Sequence, residues 1–376
     1  MTSRTPFRRT AALLAVLALG LSGCTTTTAR EAGSSDGAGV IGVALPSTGD
    51  AAWEQAGDAV ASELRDRGYR VDVQYAADDA RTQAAQVQNM LTKGMDAVIA
   101  APLSDEELEA PADVAQDDGV PVLVLGRGLP VAGAAYAAVV EPEELGRAEA
   151  QALRDALDAP PSAPTGPVPV IVLAGDENDA WERRRYSSAI DTLAPAVAEG
   201  RIVIASGATW ADAAVADAPL DVPAAAEKRV RDAEAAEAPA VEILALGDAV
   251  TRGVVTALTT DPPAPETASP TPTPAATADP VVPTVVGSGA DLATVRALDS
   301  GVLAASVFVD TRALAVPIAD AVEALLDDSE PAGDGTEIPG LSGIPALAIG
   351  AQTLRSDDIV PALVDTGWLT PEELSG

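Results

Sequence analysis

Short apolar runs and amphipathic stretches follow one another along most of this chain. Val40 to Leu45 is continuously apolar and Ala51 to Asp66 is amphipathic. Arg70 to Tyr75 alternates, and Arg81 to Lys93 sets Ala84, Val87 and Leu91 on one helical face. Asp96 to Ala101, a helix ending near Asp118, and Val120 to Leu125 continue the series. A second set runs through Val168 to Leu173, a helix from Trp181 to Ala198, Arg201 to Ala205, a helix around Ala224 to Ala235, Val241 to Leu246, and a helix from Asp248 to Leu258. Further strands are predicted at Thr284 to Ser288, Leu303 to Phe308 and Ala346 to Ile349, with helices around Leu292 to Leu298, Arg312 to Leu326 and Asp357 to Val364. Apolar strands spaced by helices of this length imply parallel sheets covered on both faces, an α/β fold. Two units of similar design follow each other.

Three stretches break the pattern. Arg4, Arg8 and Arg9 precede an apolar run from Ala11 to Leu19, the layout of an export signal and too short for a permanent membrane span of about 20 residues. The run ends in Leu21-Ser22-Gly23-Cys24, which resembles the lipobox of bacterial lipoproteins. That resemblance implies a signal peptide over 1–23 and lipidation of Cys24, with an ordinary secretory signal as the plainer alternative. Arg8-Arg9 also fits a twin-arginine signal, without its longer motif. Residues 24–39 are rich in Thr, Ser and Gly and read as a flexible tether. The proline and threonine run within 260–283 joins neither a helix nor an inner strand and reads as a solvent-exposed insertion.

Charge and chemistry narrow the function classes. The chain has 376 residues, with 23 basic and 57 acidic side chains giving a net charge of −34, which becomes −37 once Arg4, Arg8 and Arg9 are removed. Such a surface repels nucleic acid and anionic headgroups. Histidine is absent and Cys24 is the only cysteine. Imidazole bases and His metal ligands are therefore excluded, and an enzyme is not expected. Neither is a cofactor or a metal.

The order of residues carries a resemblance over about Val40 to Glu373. Ile41-Gly-Val-Ala-Leu-Pro-Ser-Thr-Gly-Asp-Ala-Ala-Trp53 is similar to the opening of type I periplasmic sugar-binding proteins of ABC importers, above all the xylose and multiple-sugar receptors. Tyr75-Ala-Ala-Asp-Asp79, Gln86 to Gly94, Asp96 to Pro102, Gly200-Arg-Ile-Val, Val309 to Ala315 and Val364 to Glu372 follow in register. The resemblance implies two doubly wound parallel-sheet lobes joined by a hinge, with a small sugar-like solute held between them. An ABC permease would be the partner, the membrane would be met through the lipid anchor, and the protein would act as a monomer outside the cytoplasm. The expected division is lobe 1 at 40–140 with a returning segment at about 288–310. Lobe 2 is expected at 141–287 with a returning segment at about 311–350, followed by a C-terminal helix and tail at 351–376.

Site residues are expected on loops at the carboxyl ends of strands, where open parallel sheets bind ligands. Trp53 matches the family's stacking aromatic and Asp248 its second-lobe aspartate. The arginine before the tryptophan is replaced by Ala52, the Asp-Arg pair reads Gly126-Arg127, and the Gln-Asp pair near the hinge reads Ser288-Gly289. At the paired asparagines stand Ala180 and Trp181, with Asn178 nearby. The expected ligand set is Trp53, Arg127, Asn178, Trp181, Asp248 and Ser288. Trp53 and Asp248 each have a structural alternative: a hinge-facing core ring for Trp53, a helix N-cap for Asp248. Arg127 with Arg183, Arg184 and Arg185 either holds an anionic or sugar-acid ligand, or pairs with Asp176, Glu177, Asp179 and Glu182. Gly287-Ser288-Gly289 lacks the third glycine of a dinucleotide fingerprint.

Two readings stand beside solute capture for transport. One is a degenerate family member acting as a sensor or interaction lipoprotein without tight sugar binding. The other is a secreted carboxylate glycosidase, which needs two carboxylates facing across a subsite.

Overall fold

The computed structural model describes residues 38–48, 51–158, 166–216, 221–235, 242–260, 283–339 and 342–375. The expected signal peptide, Cys24, nearly all of the tether and nearly all of the proline and threonine insertion lie outside the described residues.

Chain order begins β1 (Val40–Leu45), α1 (Ala51–Asp66), β2 (Arg70–Tyr75), α2 (Ala80–Thr92), β3 (Ala97–Ala100), α3 (Asp105–Asp118), β4 (Val122–Arg127) and β5 (Tyr136–Val140). It continues α4 (Pro142–Asp158), β6 (Val168–Asp176), α5 (Ala180–Ala198), β7 (Ile202–Ser206), α6 (Trp210–Ala213), β8 (Ala214–Ala216), α7 (Val222–Ala235), β9 (Glu242–Ala245) and α8 (Asp248–Thr259). The last part holds β10 (Val285–Ser288), α9 (Leu292–Asp299), β11 (Ala305–Phe308), α10 (Ala315–Leu326), β12 (Ala346–Ile349), β13 (Gln352–Leu354) and α11 (Pro371–Ser375).

Two sheets result. The first has the order β12-β5-β4-β3-β1-β2, and every pairing in it is parallel. The second has the order β13-β11-β10-β9-β6-β7, with β8 on β6 and only β13 antiparallel. Burial on both faces explains why strands such as β1, with Ile41, Val43 and Leu45 on one face and Ala44 on the other all at 0% exposure, read as unbroken apolar runs. Helices cover the faces through stripes spaced three and four apart, as in α1, which buries Ala56, Val60 and Leu64. Side-chain caps begin several of them. Asp79 Oδ1 accepts the Thr82 N–H at 2.6 Å before α2, and Ser104 Oγ accepts that of Glu107 at 3.2 Å before α3.

The chain crosses between sheets three times, at 141, at 309–310 and at 350–351, which builds a three-stranded hinge. These crossings correct the expected division. Segment 288–310 stays with the second sheet as α9 and β11, whereas α10 and β12 return to the first. Strand periodicity had located the elements but carries no information on which sheet a returning strand joins. Strand β5 and helix α4 lie where no element was predicted. Helix α4 packs closely on α5 because Gly146 leaves room for the carbonyl of Arg185, which a Cβ would strike. The helix expected over Asp357 to Val364 is a 3-10 turn at Ser356–Asp358 followed by a π turn at Val360–Val364 containing Pro361.

Candidate functional site

Loops at the carboxyl ends of both sheets line one cleft of about 720 Å³ beside the hinge. The first lobe contributes Pro46 and Ser47 after β1, Leu103 after β3, and Gly126 with Arg127 at the end of β4. The second contributes 175–182 after β6, 246–248 after β9, and Gly289 with Ala290 after β10. Five of the six expected residues, Trp53, Arg127, Asn178, Trp181 and Asp248, meet here.

Trp53 projects from the start of α1 and its ring edge crosses the backbone at Gly126. A Cβ at Gly126 would lie 2.8 Å from that ring, and its φ of +72° favours glycine independently. Trp181 reaches the cleft from the opposite lobe at 7% exposure. Two broad rings from different lobes therefore border the same space. Asp248 is not the N-cap of α8, since Gly247 holds that position with no side-chain cap. Asp248 instead opens the helix and rests against Gly289, which has a φ of +88° and no room for a Cβ beside the carboxylate.

Three of the four arginines are engaged by carboxylates, which favours the ion-pair alternative over an anion-binding group. Arg127 donates from Nη2 to Asp179 Oδ2 across the two lobes. Asp179 also caps α5, its Oδ1 accepting the Trp181 and Glu182 N–H groups at 2.9 and 3.2 Å. Arg184 forks onto Glu143 at 2.7 and 3.0 Å, and Arg183 is exposed in a separate groove along α4 and α5. Arg185 is 4% exposed and forks onto Glu149, which is 0% exposed. The guanidinium groups of Arg127 and Arg185 also lie 5.2 and 5.7 Å from the Trp181 ring centre, within cation–π range.

Ser288 does not reach the cleft and is 1% exposed. Its hydroxyl donates to Glu149 and accepts from Arg185 Nη2 at 2.9 Å and from the Gly247 N–H at 3.1 Å. Thr251 ties the same loop by accepting the Ser288 N–H at 2.8 Å and donating to the Gly247 carbonyl at 2.9 Å. Ser288 is thus a support for the loop carrying Asp248, and its expected ligand contact is corrected to that role.

Sequence reasoning missed Glu149, Asp179 and Glu182 as parts of the site. Glu149 falls four residues from both Leu145 and Leu153 on the buried stripe of α4, a position that signals a partnered charge. Asp179, three residues before Glu182 at a helix start, carries the signature of an N-cap. Burial pushes the Glu182 carboxyl up to about 7; Arg185 and Arg127 oppose that rise, while Asp179 and Glu149 add to it. Glu182 Oε1 lies 3.6 Å from Arg185 Nη1, whereas among the described residues Oε2 has no hydrogen-bond partner, nor does Trp181 Nε1. Among the described residues no cluster of metal-ligating side chains occurs.

A hinged pair of parallel-sheet lobes with a lined cleft between them defines a solute-binding architecture. Residues 41–330 match the family model described as periplasmic binding protein domain. The chain is 25% identical to the multiple sugar-binding periplasmic receptor ChvE of Rhizobium radiobacter over 89% of this chain and 92% of that one. It is 23% identical to the D-xylose-binding periplasmic protein of Escherichia coli K12, again over 89% and 92%. An ABC transporter solute-binding protein from Clostridium phytofermentans, solved with bound β-D-glucose, superposes with a TM-score of 0.76 at 25% identity, covering 89% of this chain and 99% of that one. The chain belongs to the periplasmic binding protein domain family. It is a binding protein of the type I fold and not an enzyme.

Proposed function

We propose that this chain captures a sugar or related small polyhydroxylated solute between its lobes, outside the cytoplasmic membrane, and hands it to an ABC permease. Cys24, closing Leu21-Ser22-Gly23-Cys24, carries the lipid that keeps the protein at the membrane surface. The observation that supports this reading most is the pairing of Trp53 and Trp181 from opposite lobes around a cleft bordered by Asp179, Glu182 and Asp248. Aromatic faces suit the apolar faces of a pyranose ring, while carboxylates accept from its hydroxyls. The sugar-binding relatives and the glucose-bound neighbour support the solute class, and the neighbour's role in an ABC transporter supports the permease.

Ligand binding to the folded state stabilises it by mass action, by about 2.7 kcal/mol when ligand stands at 100 times its Kd, and so raises the melting temperature. A thermal-shift panel of aldoses, amino sugars, polyols and sugar acids at millimolar concentration tests the reading. At least one sugar or polyol raises the melting temperature by several degrees. A panel that leaves it unmoved overturns the proposal. Metabolic labelling with a fatty acid, lost on Cys24→Ser, tests the anchor separately.

A further inference from the structure

We propose that the cleft selects a cationic polyol, a small polyhydroxylated solute bearing a protonated amine. Its ammonium would sit on Glu182 Oε2, and one of its hydroxyl oxygens would accept from Trp181 Nε1. This inference rests on the solute-capture reading above and names the chemical class of the solute.

Asp78, Asp176, Asp179, Glu182, Asp221 and Asp248 line the cleft, opposed by Arg127, Arg185 and Arg252. Each of those arginines is already paired: Arg127 with Asp179 inside the lining, Arg185 with Glu149, and Arg252 with Asp291 at 3.4 Å. Glu149 and Asp291 stand outside the lining, so they cancel positive charge from behind and leave the cleft surface negative. A sugar acid entering it meets carboxylates and no uncommitted guanidinium.

Hydrogen bonding points the same way, independently of the charge count. Trp181 is 93% buried, yet its Nε1–H has no acceptor among the described residues. Oε2 of Glu182, the next residue, is buried with no donor among them. Buried polar groups are nearly always satisfied, and leaving two of them open costs stability. One unmet donor and one unmet carboxylate call for a guest that brings an acceptor and a strong donor. A neutral sugar offers hydroxyls to both. An ammonium adds a charge-assisted bond at Glu182, roughly twice as strong as a neutral one. Its positive charge also favours the ionised carboxylate of Glu182, a group that burial, Asp179 and Glu149 otherwise hold partly protonated against Arg185 and Arg127.

Isothermal titration of the intact protein with matched pairs tests this: glucosamine against glucose, galactosamine against galactose, mannosamine against mannose, with glucuronate as the anion. In at least one pair the amino sugar binds tighter by about tenfold or more, and glucuronate binds more weakly than glucose. Glu182→Gln brings that ratio down to about one. Neutral sugars binding as tightly as their amino partners overturn the inference while leaving solute capture intact. A ratio unchanged by Glu182→Gln overturns the assignment of the ammonium to Glu182. No heat with any compound overturns both readings.

Discussion

Removing the Glu149 carboxylate is the most informative single perturbation of the frame behind the cleft. Glu149 is 0% exposed and accepts from two nitrogens of Arg185 and from the Ser288 hydroxyl. Glu149→Ala therefore leaves a guanidinium that is 4% exposed with Glu182 at 3.6 Å as its nearest remaining carboxylate. Breaking a buried pair from one side costs about 3–5 kcal/mol, because the surviving charge has lost its partner without regaining water. At about 2 °C per kcal/mol for a chain of this size, the melting temperature falls by about 6–10 °C. The exposed pair Arg81–Glu107, with side chains 85% and 39% exposed, supplies the comparison. Glu107→Gln costs less than about 1 kcal/mol. Replacing both partners, as Glu149→Leu with Arg185→Met, recovers most of the loss because no unpaired charge is left. Circular dichroism during heating and urea titration reads all three variants. A Glu149→Ala protein within about 1 kcal/mol of wild type refutes the reasoning.

Two further predictions concern the cleft itself. Gly126→Ala places a methyl 2.8 Å from the Trp53 ring at a φ of +72°, so it costs about 1–2 kcal/mol of backbone strain and displaces the ring; differential scanning calorimetry and sugar titration should both register the change. Glu182 titrates near 7 when folded and near the ordinary carboxylate range when unfolded, so its ionisation costs stability that is absent below about pH 4.5 and grows until about pH 7. Relative to Glu182→Gln, the wild type thus loses up to about 3 kcal/mol between pH 4.5 and 8, and parallel stability curves for the two proteins in urea would contradict it. Burial sets that window, and the charges of Arg185, Asp179, Arg127 and Glu149 facing Glu182 modulate it.

Individual elements were legible in the sequence wherever local pattern decides them. Strand β1 and helix α1 fall at their predicted bounds, because a doubly covered strand is uniformly apolar and a one-faced helix is not. The allocation of returning strands was not legible. Pairing of β12 with β5 joins segments far apart in sequence, and nothing local in Ala346–Ile349 or in Ala305–Phe308 of β11 distinguishes the two sheets. The same division holds for the site. Trp53, Trp181 and Asp248 could be placed on the cleft because loops after parallel strands converge there. The commitments of Arg127 to Asp179 and of Arg185 to Glu149 depend on contacts between elements, so charge composition alone left the arginines open for an anion. Ser288 was assigned by its place after a strand, whereas its neighbours Glu149 and Gly247 draw its hydroxyl behind the lining.

Under the proposed capture, a small polar guest sits between Trp53 and Trp181 beside the hinge. A crystal structure of the intact chain grown with a panel of neutral and amino sugars tests this placement. Capture puts density for one ring in the cleft, touching Trp53 from the first lobe and Trp181 or Glu182 from the second. A cleft closed by the protein's own apolar side chains, or a sugar bound elsewhere on the surface, would contradict it.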